Sequence, residues 1–570
     1  MVKNLKFLNL LNLKHKRFFF LILIMLIFAS LLETLGVASI IPLLSFMVSG
    51  NNLLEKFSLF ENNIYIKNFL LYYSNKEIII FLITFIILIF LTKNLYLVFF
   101  NYVKETFLFD LRKSFSQKLF NKFLNLNYEN FNKFNSSNYI NIILNVVSDS
   151  INNIISSSIY VLTEILLIVF IFILLFLIEP ISSIFVISMF AAVTFFIYSR
   201  IKLKLKLLGK KKLKHDQRQI QNLSEGFAMI KYLKTTNNFS FFENNFNQNN
   251  SMVNDVSKTQ LLLEIFPKYI LEIISVLMMS FLILFLLFFL NFDFKQIVPI
   301  VGFYALAAIR LTPSVNKILS SIQKLKYGLI PMDKLYRELI NYKKSQKKIK
   351  NYNLKKSIKF KNISFGYNDR SILKNFNLHI NLGEKIGIIG TTGSGKTTLV
   401  DIISGIIKPE SGRIYYDDIN IKNLNNQVLK IGYIPQSATL IAGTLKENIT
   451  LNSKKINKKL YNKIIHCSCL DTFFKKNKSR IFNSLGEFGS KISGGQRQRI
   501  SIARALYYNP QILIFDEGTN ALDKKTENRL IDRIYKNYPK IIIIFISHNI
   551  NYKKCNKVFK VTNQKLLRIK

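Results

Sequence analysis

Tryptophan is absent from this 570-residue chain, and there are only three cysteines and five histidines. Three cysteines cannot staple a chain of this length, which excludes a disulfide framework and leaves free thiols of a reducing compartment. Cys467-Ser468-Cys469 has no second ligand pair at zinc-like spacing, so no structural metal centre is expected. Acid is scarce too: 33 Asp+Glu face 79 Lys+Arg, a formal charge of +46. Such an imbalance fits a nucleic-acid binder or a membrane protein with lysine-rich cytoplasmic loops. Abundant Asn, Lys and Ile beside absent Trp is the bias of an AT-rich genome, so part of that charge is compositional. No cleavable signal peptide stands out, because the first apolar run is long, carries Glu33 and lacks a small-residue cleavage site.

What the chain does have is apolar runs of spanning length, all in its first half. After a basic amphipathic segment at 3–17, suited to the cytoplasmic interface, six candidate spans follow. They lie at about 18–48, 78–100, 154–178, 181–198, 261–290 and 297–322. Lys and Arg crowd the N-terminus, residues 104–133 and 200–218, whereas the alternate loops are charge-poor or balanced. The positive-inside rule then puts both termini in the cytoplasm and accounts for the basic clusters without nucleic acid. Leu108, Leu111, Phe115, Leu119 and Phe123 recur at helical steps, so the second span continues as a helix beyond the membrane to a turn at 124–139. Residues 200–260 repeat that plan, with a turn near 225–234. Ionisable residues in or near the spans are Glu33, Lys93, Glu164, Glu264, Lys268, Glu272, Arg310 and Lys317. Charges at membrane depth usually face a bundle interior or wet cavity. Arg310, beside the helix-bending Pro313, is the prime cavity candidate; Lys93 and Lys268 either join it or snorkel from span ends.

The second half reads as a soluble α/β domain at 358–570, after a lysine-rich linker at 341–357 and a membrane domain at 1–340. Gly390-Thr391-Thr392-Gly393-Ser394-Gly395-Lys396-Thr397 follows the strand-like run Ile386–Ile389 and precedes a helix opening at Thr398. This is the P-loop pattern in its required strand–loop–helix setting. Its backbone amides would cradle phosphates, Lys396 would reach the β- and γ-phosphates, and Thr397 would offer its hydroxyl to Mg²⁺. Ile512–Phe515 is a buried strand ending in Asp516, placed for the Mg²⁺ shell, and Glu517, placed to polarise the attacking water. His548 follows the strand Ile541–Ile546 and could touch the γ-phosphate; Gln436 carries no message in isolation.

Ile492-Ser493-Gly494-Gly495-Gln496 is the deciding segment. It closely resembles the L-S-G-G-Q signature of ATP-binding cassette (ABC) transporters, with Ile492 as a volume-conserving change. The resemblance implies that Ser493, Gly494, Gly495 and Gln496 bind the γ-phosphate of ATP held by the opposite subunit's P-loop. It also makes Tyr367 the adenine-stacking aromatic, Gln436 a lid-loop residue near Mg²⁺ and the reaction, and His548 the switch histidine. Gly486-Glu487-Phe488-Gly489 is similar to an exporter segment touching the membrane domain, and Asn520–Asp523 to the D-loop. Gly518 departs from the usual Pro or Ala and is expected to loosen the loop.

One six-span domain before one cassette is similar to an exporter-type half-transporter that works as a homodimer, a membrane all-α domain followed by a P-loop ATPase. Importers usually separate these parts, and no N-terminal extension large enough for a leader peptidase is evident. Leu32–Gly36, Ile41–Leu43, Phe123–Phe134 and Ala307–Ile318 resemble bacterial lipid-linked oligosaccharide flippases of the inner membrane. An anionic pyrophosphate head group would be offset by Lys93, Lys268 and Arg310. Export of lipid A, drugs or peptides is the alternative. A non-transport ABC ATPase acting on DNA or ribosomes is opposed by six apolar runs.

Overall fold

The computed structural model describes residues 8–40, 42–43, 46, 72–178, 180–288, 294–340, 350–367, 370–423, 427–451, 455–471, 484–547 and 555–570. The chain divides into two compact units, residues 1–126 with 130–343, and residues 344–570 with 127–129.

The first unit is helical. Its elements are α1 (Leu13–Ala38), α2 (Asn75–Leu124), α3 (Tyr128–Asn132), α4 (Ser136–Leu177), α5 (Pro180–Ala228), α6 (Ile230–Thr236), α7 (Ser240–Phe288) and α8 (Phe294–Ile340). Among the described residues, α1, α2, α4 and α7 are long and apolar enough to cross a membrane. The fourth expected span lies in α5, whose apolar stretch is shorter, and the sixth in α8, where Arg310 and Lys317 interrupt the apolar run. At 1.5 Å per residue the 50-residue α2 is about 75 Å long, far more than a bilayer needs. Its two ends read differently. Ile80, Phe81, Ile83, Phe85, Leu88 and Leu91 are exposed, which suits lipid, whereas Leu108, Leu111, Phe115, Leu119 and Phe123 are buried in a helical core. That second stripe is the one the sequence spacing predicts. The chain turns back through α3, and through α6 at the other expected turning point.

Close helix approach is written into two glycines. A Cβ on Gly209 of α5 would lie 2.5 Å from the Tyr327 carbonyl oxygen, and one on Gly328 of α8 2.6 Å from Asn153 Cβ. Helix α4 is interrupted there by π-helical turns at Ile142–Val146 and Ile151–Ser156. Each inserts residues into the ladder and re-aims the side chains between them, Asp149 included. Along α8, Thr312 Oγ1, Asn316 Oδ1, Gln323 Oε1 and Tyr327 Oη are buried without hydrogen-bond partners.

The second unit joins two main sheets. Its strands are β1 (Lys350–Asn351), β2 (Ser357–Tyr367), β3 (Arg370–Asn381), β4 (Lys385–Gly390), β5 (Ser411–Tyr416), β6 (Ile419–Asn420), β7 (Gln427–Val428), β8 (Ile431–Ile434), β9 (Ile512–Asp516), β10 (Ile542–Ile546), β11 (Lys557–Thr562) and β12 (Lys565–Arg568). The helices used below are α9 (Lys396–Ile403), α10 (Leu445–Thr450), α11 (Lys458–Cys467), α12 (Gly494–Tyr507) and α13 (Lys524–Asn537). The larger sheet runs β12-β11-β4-β10-β9-β8, parallel from β11 to β8, with antiparallel β12 at its edge. Continuous apolar runs in β9 (Ile512–Phe515) and β10 (Ile542–Ile546) fit strands buried on both faces. An antiparallel sheet, β3-β2-β5-β6, packs its apolar face into the same core. Strand β1 pairs with β7 and falls inside the segment expected as a linker; residues 341–349 lie outside the described ones.

Candidate functional site

Strands β4, β10 and β9 are neighbours, with Ile388 opposite Ile546 and Ile546 opposite Asp516. Their carboxyl ends therefore share one edge, the place where parallel α/β sheets hold ligands. Gly390–Thr397 leaves β4 there and enters α9, and Asp516 and Glu517 leave β9. His548, just past β10, lies outside the described residues.

The loop conformation needs its glycines. Gly393 and Gly395 have φ of +79° and +99°, and a Cβ on Gly390 would come within 2.7 Å of the Val561 carbonyl oxygen. Lys396 Nζ donates to the carbonyls of Gly390 and Thr391 at 2.7 and 2.8 Å, curling the ammonium into its own loop. Burial pushes that ammonium below its ordinary pKa, while Glu517 and Asp516 pull it back up. Ser394 Oγ is buried without a partner. A donor-rich loop with one unsatisfied hydroxyl suits a phosphate chain. Tyr367 ends β2 exposed to solvent beside Phe365, and its phenol reaches Thr398 at the opening of α9, which puts its ring next to the phosphate loop.

The carboxylates are held by groups from other strands. Tyr433 Oη donates to Asp516 at 2.7 Å, and burial with Asp516 beside it pushes the Tyr433 phenol up. Gln436 Nε2 donates to Glu517 at 2.8 Å, and Asn520 Nδ2 donates to the same oxygen at 3.1 Å. Glu517 has φ of +50°, a region that a non-glycine residue occupies only at a cost. Its backbone N–H donates to the Ile546 carbonyl at 3.0 Å, so β10 fixes the turn that aims the side chain. Asp401, on α9, is raised to about 6, by burial first and Asp516 second. Tyr433 was not legible in sequence as a site residue; the cue is its place near the end of β8, opposite Ile514 of β9.

For Mg²⁺, the Thr397 hydroxyl, the Asp516 carboxylate and the Gln436 amide are oxygen donors of the kind a hard cation takes beside phosphates. Asp516 and Gln436 already lie on this edge, and the unsatisfied Ser394 hydroxyl marks room for a polar guest. The residues fit the ion.

The signature segment is a capping box. Ser493 Oγ accepts from the Gln496 N–H, and Gln496 Oε1 accepts from the Ser493 N–H at 3.0 Å, opening α12 with free amides at its positive end. A Cβ on Gly495 would lie 2.9 Å from the Ala521 carbonyl oxygen, and Gln498 Oε1 accepts from the Ala521 N–H at 3.0 Å. Asn520–Asp523 thus touches Glu517 at one end and the start of α12 at the other. Gly518 is no loose hinge: a Cβ there would sit 2.6 Å from Ile434 Cγ2, so the strand packing requires glycine. Phe488, at φ +51°, projects into solvent from the short turn Glu487–Gly489.

In the helical unit, Arg310 forms an ion pair with Glu33 of α1. Lys93 of α2 lies against Gly36 of α1, where a Cβ would meet its Nζ at 3.3 Å. Those three charges share a neighbourhood. Lys268 does not join them: it is exposed on α7, pairs loosely with Glu272 at 3.9 Å, and stands among the exposed Phe266 and Tyr269.

Residues 373–520 match the protein-family model described as ABC transporter. A putative export ATP-binding/permease protein of Rickettsia typhi is 38% identical over 200 residues, 34% of this chain and 35% of that protein. The mitochondrial iron-sulfur clusters transporter of Saccharomyces cerevisiae is 35% identical over 240 residues, 40% and 34% of the two chains. The alpha-hemolysin translocation ATP-binding protein of Escherichia coli O157:H7 is 36% identical over 211 residues, 36% and 30%. The matches thus span about a third of the length of these curated relatives. A solved structure of a bacterial Atm1-family ABC exporter with ATP bound aligns with a TM-score of 0.75 and 17% identity, covering 92% of this chain and 93% of its own. The fold is that of an ABC exporter, a helical membrane domain followed by an ABC ATPase domain.

Proposed function

We propose that this chain is one half of an ATP-driven exporter in a bacterial inner membrane, that both termini are cytoplasmic, and that its cargo is an amphiphile with an anionic head group, a lipid-linked oligosaccharide. The membrane part is assigned to 1–340, the linker to 341–357 and the ATPase to 358–570. The observation that carries the reading is the shared edge of β4, β10 and β9, with Lys396, Asp516, Glu517 and Gln436 within reach of one another.

In the reaction, the loop amides of Gly390–Thr397 and Lys396 hold the phosphates, and Tyr367 stacks on the base. Glu517, steadied by Gln436 and Asn520, takes a proton from the attacking water as the bond between the β- and γ-phosphates breaks, and ADP and inorganic phosphate leave. Thr397, Asp516 and Gln436 would hold Mg²⁺, which would supply charge neutralisation at the phosphates. The open amides at Ser493–Gln496 are assigned to the nucleotide of a second copy, which makes the working unit a homodimer. ATP draws the cassettes together, and the turns at 124–139 and 225–234 pass closure to the spans.

The anionic-cargo reading is supported by Arg310 and Lys93, which meet a single Glu33 and leave net positive charge at membrane depth. ATPase assays in lipid nanodiscs test it. Polyprenyl-diphosphate oligosaccharide should stimulate hydrolysis; stimulation by lipid A, drugs or peptides instead would replace this cargo with one of those.

A further inference from the structure

Strand β8, at one edge of the larger sheet, leads into two donors for the ATPase carboxylates. Side chains alternate along a strand, and Tyr433 of β8 lies opposite Ile514 of β9. Ile431 and Tyr433 therefore share a face with Ile512, Ile514 and Asp516, while Ile434 and Phe515 turn into the core on the other. Across that shared face Tyr433 Oη donates to Asp516 Oδ2 at 2.7 Å. Three residues further on, Gln436 Nε2 donates to Glu517 at 2.8 Å. One strand end thus holds both acids. Ile434, between the two donors, is fully buried and packs directly on Gly518, the residue after Glu517.

Packing alone does not call for the Tyr433 contact. Tyr433 is 36% exposed, so water would satisfy its hydroxyl and the phenol has no need of an acid as partner. The acid does need the phenol. Asp401 of α9 faces both Asp516 and Tyr433, and its carboxyl is raised by burial first and by Asp516 second. Two carboxylates this close repel, which pushes the Asp516 side chain aside unless a donor holds it. Tyr433 is that donor. It takes Oδ2, and among the described residues no donor takes Oδ1, so the carboxylate has one oxygen anchored and one available.

We propose that Tyr433 is a positioning residue for the metal-holding carboxylate: its hydroxyl fixes the side chain of Asp516 and thereby raises the site's affinity for a divalent cation. This rests on the reading above that Asp516 holds Mg²⁺, and adds to it a residue outside the phosphate loop and the signature. Tyr433 acts through Asp516 alone. A carboxylate already held by a hydrogen bond offers its remaining oxygen without giving up side-chain freedom on binding. Removing a partner of this kind costs about 10–100-fold in metal affinity.

The test uses Mn²⁺, a paramagnetic stand-in for Mg²⁺, so that binding is read without turnover. Full-length protein in lipid nanodiscs is saturated with ADP and titrated with Mn²⁺, and bound metal is followed by electron paramagnetic resonance. ADP affinity in EDTA and the melting temperature are measured beside it. Tyr433→Phe keeps the ring and deletes the donor. It should weaken Mn²⁺ binding roughly tenfold, with metal-free ADP affinity and melting temperature as in the wild type. Asp516→Asn is the reference and should weaken Mn²⁺ binding further. Unchanged Mn²⁺ affinity in Tyr433→Phe beside a weakened Asp516→Asn overturns the positioning role and leaves the Mg²⁺ reading standing. Metal-free ADP binding that falls as far as Mn²⁺ binding makes Tyr433 a general support of the site and overturns the role too. Wild-type Mn²⁺ affinity in Asp516→Asn overturns the Mg²⁺ reading itself, and the proposal with it.

Discussion

Glu517 and its neighbours show how much of the ATPase site depends on single positions. The carboxylate is aimed by a positive-φ turn and held by two amide donors. Removing its basicity while keeping its shape isolates the proton-transfer role. Glu517→Gln should slow ATP hydrolysis by about 10²–10⁴-fold with nucleotide binding retained, checked by single-turnover kinetics beside a binding isotherm. A near-normal rate would take Glu517 out of the base role. Next to it, Gly518→Ala forces a Cβ against the fully buried Ile434 at the end of β8. Overpacking of this kind costs about 1–3 kcal/mol, so the melting temperature of the ATPase unit should fall measurably. An unchanged melting temperature would show that β8 yields at no cost. The roles expected of Asp516 and Glu517 follow from an apolar strand ending in acid, a local pattern. The requirement for glycine at 518 was not legible, because it arises from Ile434, more than eighty residues away in sequence.

Among the helices, packing and charge conflict at the crossing of α4, α5 and α8. Asp216 of α5 is buried, facing Lys212 and His215 of its own helix, Asp149 of α4, and Tyr327 of α8, whose phenol burial pushes up first and the two aspartates further. Asn249 of α7 holds His215 Nδ1 at 2.8 Å. Burial pushes the Asp216 carboxyl from 3.8 up to about 6, with Lys212 opposing and Asp149 adding to the rise. The sign follows from linkage: a raised acid favours folding while protonated, so stability is lost as pH climbs from 3.8 to about 6 and is level above that. Asp216→Asn should therefore raise the melting temperature more at pH 7.5 than at pH 4. An equal gain at both values would mean that ionisation is not the source of the cost. The apolar stripe Leu108–Phe123 was readable from its period, since a helix repeats every 3.6 residues whatever it packs against. The ion pairs of α8, Arg310 with Glu33, Lys317 with Glu164 and Lys324 with Glu264, were not, because the glutamates come from three separate helices and no local spacing relates them to their cations.

At the scale of the whole molecule, the two-part architecture was legible because its signals are long-range averages, apolar runs in one half and ordered phosphate-binding motifs in the other. Assembly is the open question, and it has a genetic answer. If each ATP is held by one copy's P-loop and the other copy's signature, Lys396→Ala and Ser493→Arg chains should each be inactive alone. Co-expressed, they should regain ATPase activity through the one intact composite site in each mixed pair; failure to complement would argue for sites complete within one chain. The α8 helix adds a thermodynamic consequence. Its four buried polar atoms without partners each cost about 1–3 kcal/mol relative to a paired arrangement. A rotated or shifted α8 that pairs even two of them recovers a few kcal/mol. A shift of α8 that pairs these atoms is favoured by that amount, a bias on which motion of the helix can draw.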